Sequence, residues 1–391
     1  MLNATVPNPV IPYSRQSVDG EDRAAVAAVL EGDWLTQGPA LAGFEQDFAA
    51  RCGVPHAVAF SSGTAALHGA AFAAGVGPGE EILTSAITFA ASANCGAYLG
   101  ATPRFADIEA GTWNVSAASV EAALTPRVRL LVPVHFAGLP LDVASLRELV
   151  GPDVTIVEDA AHALGGSAGG EEVGSCAHSD MAIFSLHPTK AITAAEGGVV
   201  TTRDPRLAER LTAFRTHGMV RERERLLYGE GEGPWYHEQQ HLGFNYRLSD
   251  VHAALGASQL RKLDDHVARR NAVAARYREA LAGIEGLRLP PEAPAGTLHA
   301  YHLFVVHLSD GAPRRLELYR RLAEAGIGSQ VHYIPPYLHP YYRETFGYGP
   351  GLCPEAERYY SGCLSIPCYP DLAAADQDRV IEVVREVLAG G

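Results

Sequence analysis

Up to about residue 265, short apolar runs alternate with stretches in which apolar residues return every three or four positions. The runs His56-Ala-Val-Ala-Phe60, Glu81-Ile-Leu-Thr84, Pro103-Arg-Phe-Ala-Asp107, residues 129–136, Val154-Thr-Ile-Val157 and Met181-Ala-Ile-Phe184 read as strands. Residues 20–31, 41–52, 116–124 and an Ala-rich stretch ending near Ala74 have helical composition, with Phe44 and Phe48 on one helix face at i, i+4. Strands alternating with helices imply βαβ units and a mainly parallel sheet, an α/β fold. Beyond Asp264 the pattern changes. An Arg-rich helix over 267–281, a loop over 287–294, a strand over 301–307, a helix over 314–325 and a strand over 328–332 make a smaller α+β unit. The expected division is a large domain over 1–265 and a small one over 266–391. The aromatic stretch 337–342 reads as a solvated loop, although its composition would also suit a groove wall.

The strand ends carry the polar residues that chemistry would need. Pro188 must break the run that ends at Phe184, so Lys190 stands in a turn just past a strand end, where open α/β sheets present their sites. A partly desolvated lysine there can act as a nucleophile; a solvated surface lysine is the plain alternative. Ser61-Ser62-Gly63-Thr64 leads from a strand into a helix start, whose free amides suit an anion, though a simple N-cap explains the serines equally well. Phe89 lies at another strand-to-helix junction, where an aromatic is more often a core residue than a ring stacked on a cofactor. Asp159 closes the strand near 157, where it caps a helix or meets a cation. An anion cradle, an aromatic face, a carboxylate and an amine on four strand ends are together the parts that hold pyridoxal phosphate.

Composition narrows the partners. The chain of 391 residues is 47% hydrophobic and 19% charged, with 31 Lys plus Arg against 45 Asp plus Glu and a net charge of −14. That balance supplies no basic footprint for nucleic acid. The six cysteines show no C-x-x-C pairing, so they read as reduced thiols of a cytoplasmic protein with no metal site. No signal-like start and no apolar run of membrane-spanning length occurs.

Taken in order, Ser62-Gly-Thr-Ala-Ala-Leu67, Thr88-Phe89, Glu158-Asp-Ala-Ala-His-Ala-Leu-Gly165, Phe184-Ser-Leu-His-Pro-Thr-Lys190, Glu196-Gly-Gly198, Arg215-Thr-His-Gly218 and Leu242-Gly-Phe-Asn-Tyr-Arg-Leu-Ser-Asp250 resemble the motifs of the DegT/DnrJ/EryC1/StrS sugar aminotransferases over nearly the full length. Ile11-Pro-Tyr-Ser14, His187-Pro-Thr-Lys-Ala-Ile-Thr193, Gln330-Val-His-Tyr-Ile-Pro335 and Leu364-Ser-Ile-Pro-Cys368 are most similar to the branch that aminates C4 of a UDP-linked 4-keto-6-deoxy-N-acetylhexosamine in pseudaminic acid biosynthesis.

The resemblance implies the aspartate aminotransferase-like fold type I of pyridoxal-phosphate transferases and glutamate-driven transamination of a nucleotide-linked ketosugar. It casts Lys190 as the Schiff-base lysine and Asp159 as the partner of the pyridine nitrogen. Phe89 would stack on the ring, with His162 beside it, and Ser62, Gly63, Thr64 and Ser185 would hold the phosphate. Asn245 would reach the phosphate of a partner subunit, which makes the expected assembly a homodimer with shared sites. Arg247 is the candidate for the donor carboxylate. His332 and Tyr333 would meet the sugar across the domain cleft, or else pack as a strand end. A dTDP- or GDP-linked ketosugar is the alternative acceptor. The family's C3 dehydratases carry His in place of the lysine, and a regulatory protein without turnover would not need the Lys, Asp and phosphate set. One departure stands out, His252 where the family usually has Gln, at a place that bears on helix packing or dimer contact.

Overall fold

The computed structural model describes residues 11–228 and 233–389. A seven-stranded sheet runs in the order His56–Phe60, Gly198–Thr202, Met181–Ser185, Thr155–Asp159, Val128–Val132, Glu81–Ser85, Thr102–Ala106. Six of these are the apolar runs of the sequence. The seventh, Gly198–Thr202, is antiparallel to both of its neighbours, and the other sheet pairings are parallel. Gly198 itself has a steric reason: a Cβ there would fall 2.4 Å from the Ser62 carbonyl oxygen. Only glycine lets this strand pass so close to the Ser62 turn.

Helices cover both faces of the sheet, as parallel strands require. The helix Gly63–Ala73 buries Ala65, Ala66, Ala70 and Ala71. Its Gly69 sits where a Cβ would meet the Phe60 ring at 2.8 Å. Small side chains therefore let the helix lie close to the sheet and set its N-terminus over the end of the Met181–Ser185 strand. On the other face Phe44, Phe48 and Phe184 pack together, with Phe48 and Phe184 ring centroids 5.2 Å apart.

The C-terminal part is built on a three-stranded antiparallel sheet, Leu287–Arg288, Phe304–Leu308 and Cys363–Ile366, covered by the helices Ala312–Glu324 and Ala374–Ala389. Ile11 is fully buried in this C-terminal core and bridges to Ile327. The helix Leu263–Leu281 carries the chain across.

Two local expectations are corrected. Residues 328–332 form no strand, only a single bridge from Gln330 to Ser365. Pro335 and Pro336 follow, and neither has an amide to continue a ladder. The stretch 337–342 is no solvated loop: a 3-10 turn, Pro336–Leu338, and a helix, Pro340–Phe346, bury Tyr337 and Tyr342. Pro340 starts that helix, where its missing amide costs nothing, and Tyr342 donates to Asn94 Oδ1 at 2.6 Å. Among the described residues all six cysteines are free and buried, no cluster of His, Cys, Asp and Glu could hold a metal ion, and no helix is long and apolar enough to cross a membrane.

Candidate active site

The turn after Met181–Ser185 is closed by Lys190 N–H donating to the His187 carbonyl at 2.9 Å. Ser14 Oγ donates to the Thr189 carbonyl at 3.2 Å, so the N-terminal segment braces the same turn. The Lys190 side chain enters a cavity of about 650 Å³. Burial lowers its pKa from 10.5 to about 8, against the pull of Asp159 and with help from Arg270. About one amine in ten is then unprotonated at pH 7, against roughly one in three thousand for an ordinary lysine.

Asp159 stands in the same cavity, 5% exposed. Its Oδ2 accepts from Ser92 Oγ at 2.6 Å and its Oδ1 from Ala161 N at 3.1 Å. Ser92 also shares a 2.7 Å bond with Thr88 Oγ1, so the carboxylate is held in one orientation. The sequence reading missed Ser92, since nothing in its local pattern points four residues back and 67 residues ahead at once.

Ser62, Gly63 and Thr64 line the cavity beside Ser185. Ser62 Oγ is occupied in capping Ala65 N at 3.1 Å, which leaves the amides of Gly63 and Thr64 as the helix-start donors. A Cβ at Gly63 would come within 3.0 Å of Ser185 Cβ, so glycine keeps this cradle open. Phe89 is not core; it is 60% exposed at the cavity rim, 6.1 Å from the Tyr333 ring.

The facing wall comes from the C-terminal part. His332 is buried, bonded through Nδ1 to Ser365 Oγ at 2.8 Å. Tyr333 OH meets His162 Nε2 at 3.0 Å, and the His162 ring lies 4.3 Å from that of His302. Tyr13, His187, Gln330 and Ile334 also line the cavity, none of them assigned a role in the site from sequence, and so does His339, from the stretch 337–342 whose composition suits a groove wall. Burial drives His162 and His302 well below their ordinary pKa, with lesser contributions from Lys190 among other neighbouring groups, so both imidazoles are neutral. Each keeps a buried Nδ1 without a partner among the described residues.

Asn245 and Arg247 are not brought into this cavity by their own chain. Asn245 is exposed and its backbone bridges to Thr216; Arg247 bridges to Phe60, with its Nε buried and unpartnered. Ser249, not Asn245, caps the helix Asp250–Leu260, and His252 joins that cap through Nδ1 at 2.7 Å. Around this segment Trp34, Leu35, Leu242 and Phe244 are exposed.

The cradle of amides, the oriented carboxylate, the open aromatic ring, the neutral-leaning amine and the orphaned His162 nitrogen fit pyridoxal phosphate. The neutral histidines also set an acid limit. Burial lowers His68 to about 4 and His299 and His332 to about 3, from 6.5. Below pH 6.5 the unfolded chain binds protons that the folded chain refuses, so stability falls as pH drops. The urea midpoint is expected to decline as pH falls from about 7 to 5, while the unfolded imidazoles take up protons around 6.5 and above the carboxylate range; a flat profile down to 5 would contradict buried neutral imidazoles.

A model of the DegT/DnrJ/EryC1/StrS aminotransferase family matches residues 16–385. The spore coat polysaccharide biosynthesis protein SpsC of Bacillus subtilis (strain 168) is 40% identical over 387 residues, 98% of both chains. Helicobacter pylori PseC, an aminotransferase involved in the biosynthesis of pseudoaminic acid, aligns with a TM-score of 0.88 at 29% identity, over 97% of this chain and 100% of its own. The PLP-form of Spr1654 from Streptococcus pneumoniae aligns with a TM-score of 0.89 at 26% identity, over 97% of this chain and 99% of that one.

Proposed function

The chain belongs to the DegT/DnrJ/EryC1/StrS aminotransferase family and is a pyridoxal-phosphate-dependent sugar aminotransferase, and from that premise we propose its substrates and the roles of its residues. The donor is L-glutamate, and the acceptor is the C4 ketone of a UDP-linked 4-keto-6-deoxy-N-acetylhexosamine. The observation that carries this reading is a single cavity with Lys190 and Asp159 on one side and His332 and Tyr333 on the other. Its volume of about 650 Å³ is in the range that takes a small organic ligand. The likeness to PseC supports the choice of acceptor.

Lys190 would bind the cofactor aldehyde covalently at rest. When bound, the cofactor supplies an electron sink that lets a proton leave the carbon bearing the nitrogen. Lys190 Nζ, once free, takes the proton from the donor's α-carbon, and in the second half-reaction it delivers one to C4 of the sugar. Its lowered pKa suits both steps, since a base poised near neutral pH can also give the proton back. Asp159 holds a proton on the pyridine nitrogen, with Ser92 fixing the carboxylate. Gly63 and Thr64 amides, with Ser62 and Ser185, would hold the phosphate, and Phe89 would shield the cofactor from water. His162 stands beside the ring, tied to Tyr333, and His332 and Tyr333 face the sugar.

A screen of UDP-, dTDP- and GDP-linked 4-keto-6-deoxy sugars with L-glutamate, read by mass spectrometry, tests the acceptor. The UDP-linked N-acetylhexosamine is expected to be aminated fastest. Preference for a dTDP- or GDP-linked sugar would replace it as the acceptor.

The exposed position of Asn245, amid exposed Trp34, Leu35, Leu242 and Phe244, supports a homodimer in which Asn245 of one copy reaches the phosphate of the other and Arg247 meets the donor carboxylate. Lys190→Ala and Asn245→Asp would then spoil different halves of one shared site, the Asp by setting a negative charge against the phosphate. In a mixed dimer one site carries both lesions and the other neither. Mixing the two inactive variants is expected to restore about a quarter of parent activity at full random exchange. Exchange verified by mass with no activity regained would rule out the shared site.

A further inference from the structure

Arg270, on the helix Leu263–Leu281, is 1% exposed, yet no carboxylate among the described residues forms an ion pair with it. Its donors go to backbone carbonyls instead. Nη1 reaches Tyr301 O at 3.3 Å, His302 O at 3.2 Å and Cys368 O at 2.8 Å. Nη2 reaches Thr189 O at 3.3 Å and Lys190 O at 3.4 Å. Nε is buried without a partner. A guanidinium stays charged at any physiological pH, and burying one without a counter-ion is costly. An apolar residue or an Arg–carboxylate pair would fill the space at a lower cost, so the uncompensated charge calls for a reason.

We propose that Arg270 is a positioning residue for Lys190, gripping the backbone of the Thr189–Lys190 turn while keeping a permanent positive charge close to the amine. The proposal rests on Lys190 being the reactive amine. Two charged groups act on that amine. Asp159 would by itself hold Lys190 as a buried ammonium in an ion pair, which cannot attack an aldehyde. Arg270 opposes that pull and joins burial in lowering the amine's pKa. The other titratable groups that line the cavity with Lys190 are His162, His187, His302 and His332, all lowered by burial and therefore neutral above pH 7, Tyr13 and Tyr333, raised by burial and equally neutral, and Glu196 and His339. The same guanidinium ties the turn to Tyr301, His302 and Cys368, so the lysine is set against the C-terminal wall of the cavity.

The composition makes this measurable. Lys190 and Lys262 are the two lysines of the chain, and Lys262 is tied to Asp19 at 2.6 Å and Asp22 at 3.0 Å. Isotopic labelling at lysine Cε of the full chain freed of cofactor therefore gives two signals, assigned by the loss of one in Lys190→Ala. The Lys190 signal is expected to titrate near pH 8 in the parent, to move up by about one pH unit in Arg270→Gln, and to stay near 8 in Arg270→Lys, which puts a cation back at position 270 and adds a third signal, the Lys190 one being identified by its loss in Arg270→Lys combined with Lys190→Ala. An Arg270→Gln midpoint equal to the parent's, with the Lys262 signal unchanged as proof of fold, overturns the proposal. If Arg270→Gln does not fold, Arg270→Met, which fills the space without a charge, decides: a midpoint raised by about one pH unit supports the role of the charge, and a midpoint near 8 overturns it. The titration involves neither cofactor nor sugar, so failure of the substrate reading would leave it intact, and failure of the titration would leave transamination by Lys190 standing.

Discussion

Lys190→Ala is expected to lower turnover by about three orders of magnitude or more while the protein still binds pyridoxal phosphate. The two consequences separate because the side chain has two roles. It is the amine placed to hold the aldehyde, and no other lysine can replace it, since Lys262 is held by Asp19 and Asp22 with its pKa raised by those bonds. It is also the stronger base of the cavity, because burial makes the imidazoles around it weakly basic, and His162 is already paired with Tyr333. The phosphate cradle at Gly63, Thr64 and Ser185 and the Phe89 ring lie on other elements and survive the change. Borohydride treatment followed by mass analysis reads the first role, covalent capture of the aldehyde. The parent is expected to carry the cofactor on the peptide containing Lys190, and the variant to carry none. Near-parent turnover in Lys190→Ala would end the assignment of this lysine.

Asp159→Asn should cost about two to three orders of magnitude in the half-reaction with glutamate, the scale set by losing one preorganised electrostatic partner. The substitution is nearly isosteric, and the amide oxygen can keep the bond from Ala161 N while the amide nitrogen donates to Ser92 Oγ, so the thermal midpoint should stay close to the parent's. What is lost is the negative charge that we propose holds a proton on the ring nitrogen. A neutral amide cannot do this, and the electron sink fails with it. The same loss has an opposite effect on Lys190. Asp159 raises the pKa of that amine, so removing its charge leaves more amine unprotonated at pH 7. Covalent capture of the cofactor at neutral pH should therefore be as fast as in the parent or faster, while glutamate turnover collapses. Slow capture together with slow turnover would instead point to a general disturbance of the cavity, and turnover at the parent rate would show that Asp159 does not face the ring.

The contiguous features were legible in the chain itself. A strand that ends in a proline turn with a lysine, a strand that ends in a carboxylate, and a strand that runs into Ser62-Gly63-Thr64 each depend on neighbours along the sequence, because turn chemistry and helix starts are local. The alternation of short apolar runs with helical stretches likewise set six strands of the main sheet and its mainly parallel sense. Direction and company were decided by the tertiary structure. Nothing in Gly198-Val-Val-Thr-Thr202 says that it enters antiparallel between two strands; the clearance at Ser62 and the pairing on both sides do. Residues 328–332 have strand composition and find a single bridge, because the prolines that follow turn His332 and Tyr333 into the cavity instead. Tyr337 and Tyr342 look like loop residues until Asn94, far away in sequence, gives Tyr342 a buried partner. Ser92, His302 and Arg270 acquire meaning only from Asp159, His162 and the Thr189–Lys190 turn, to which folding brings them. Such contacts leave no periodic trace in the chain, since each is made by residues tens of positions apart whose only common property is the space they share.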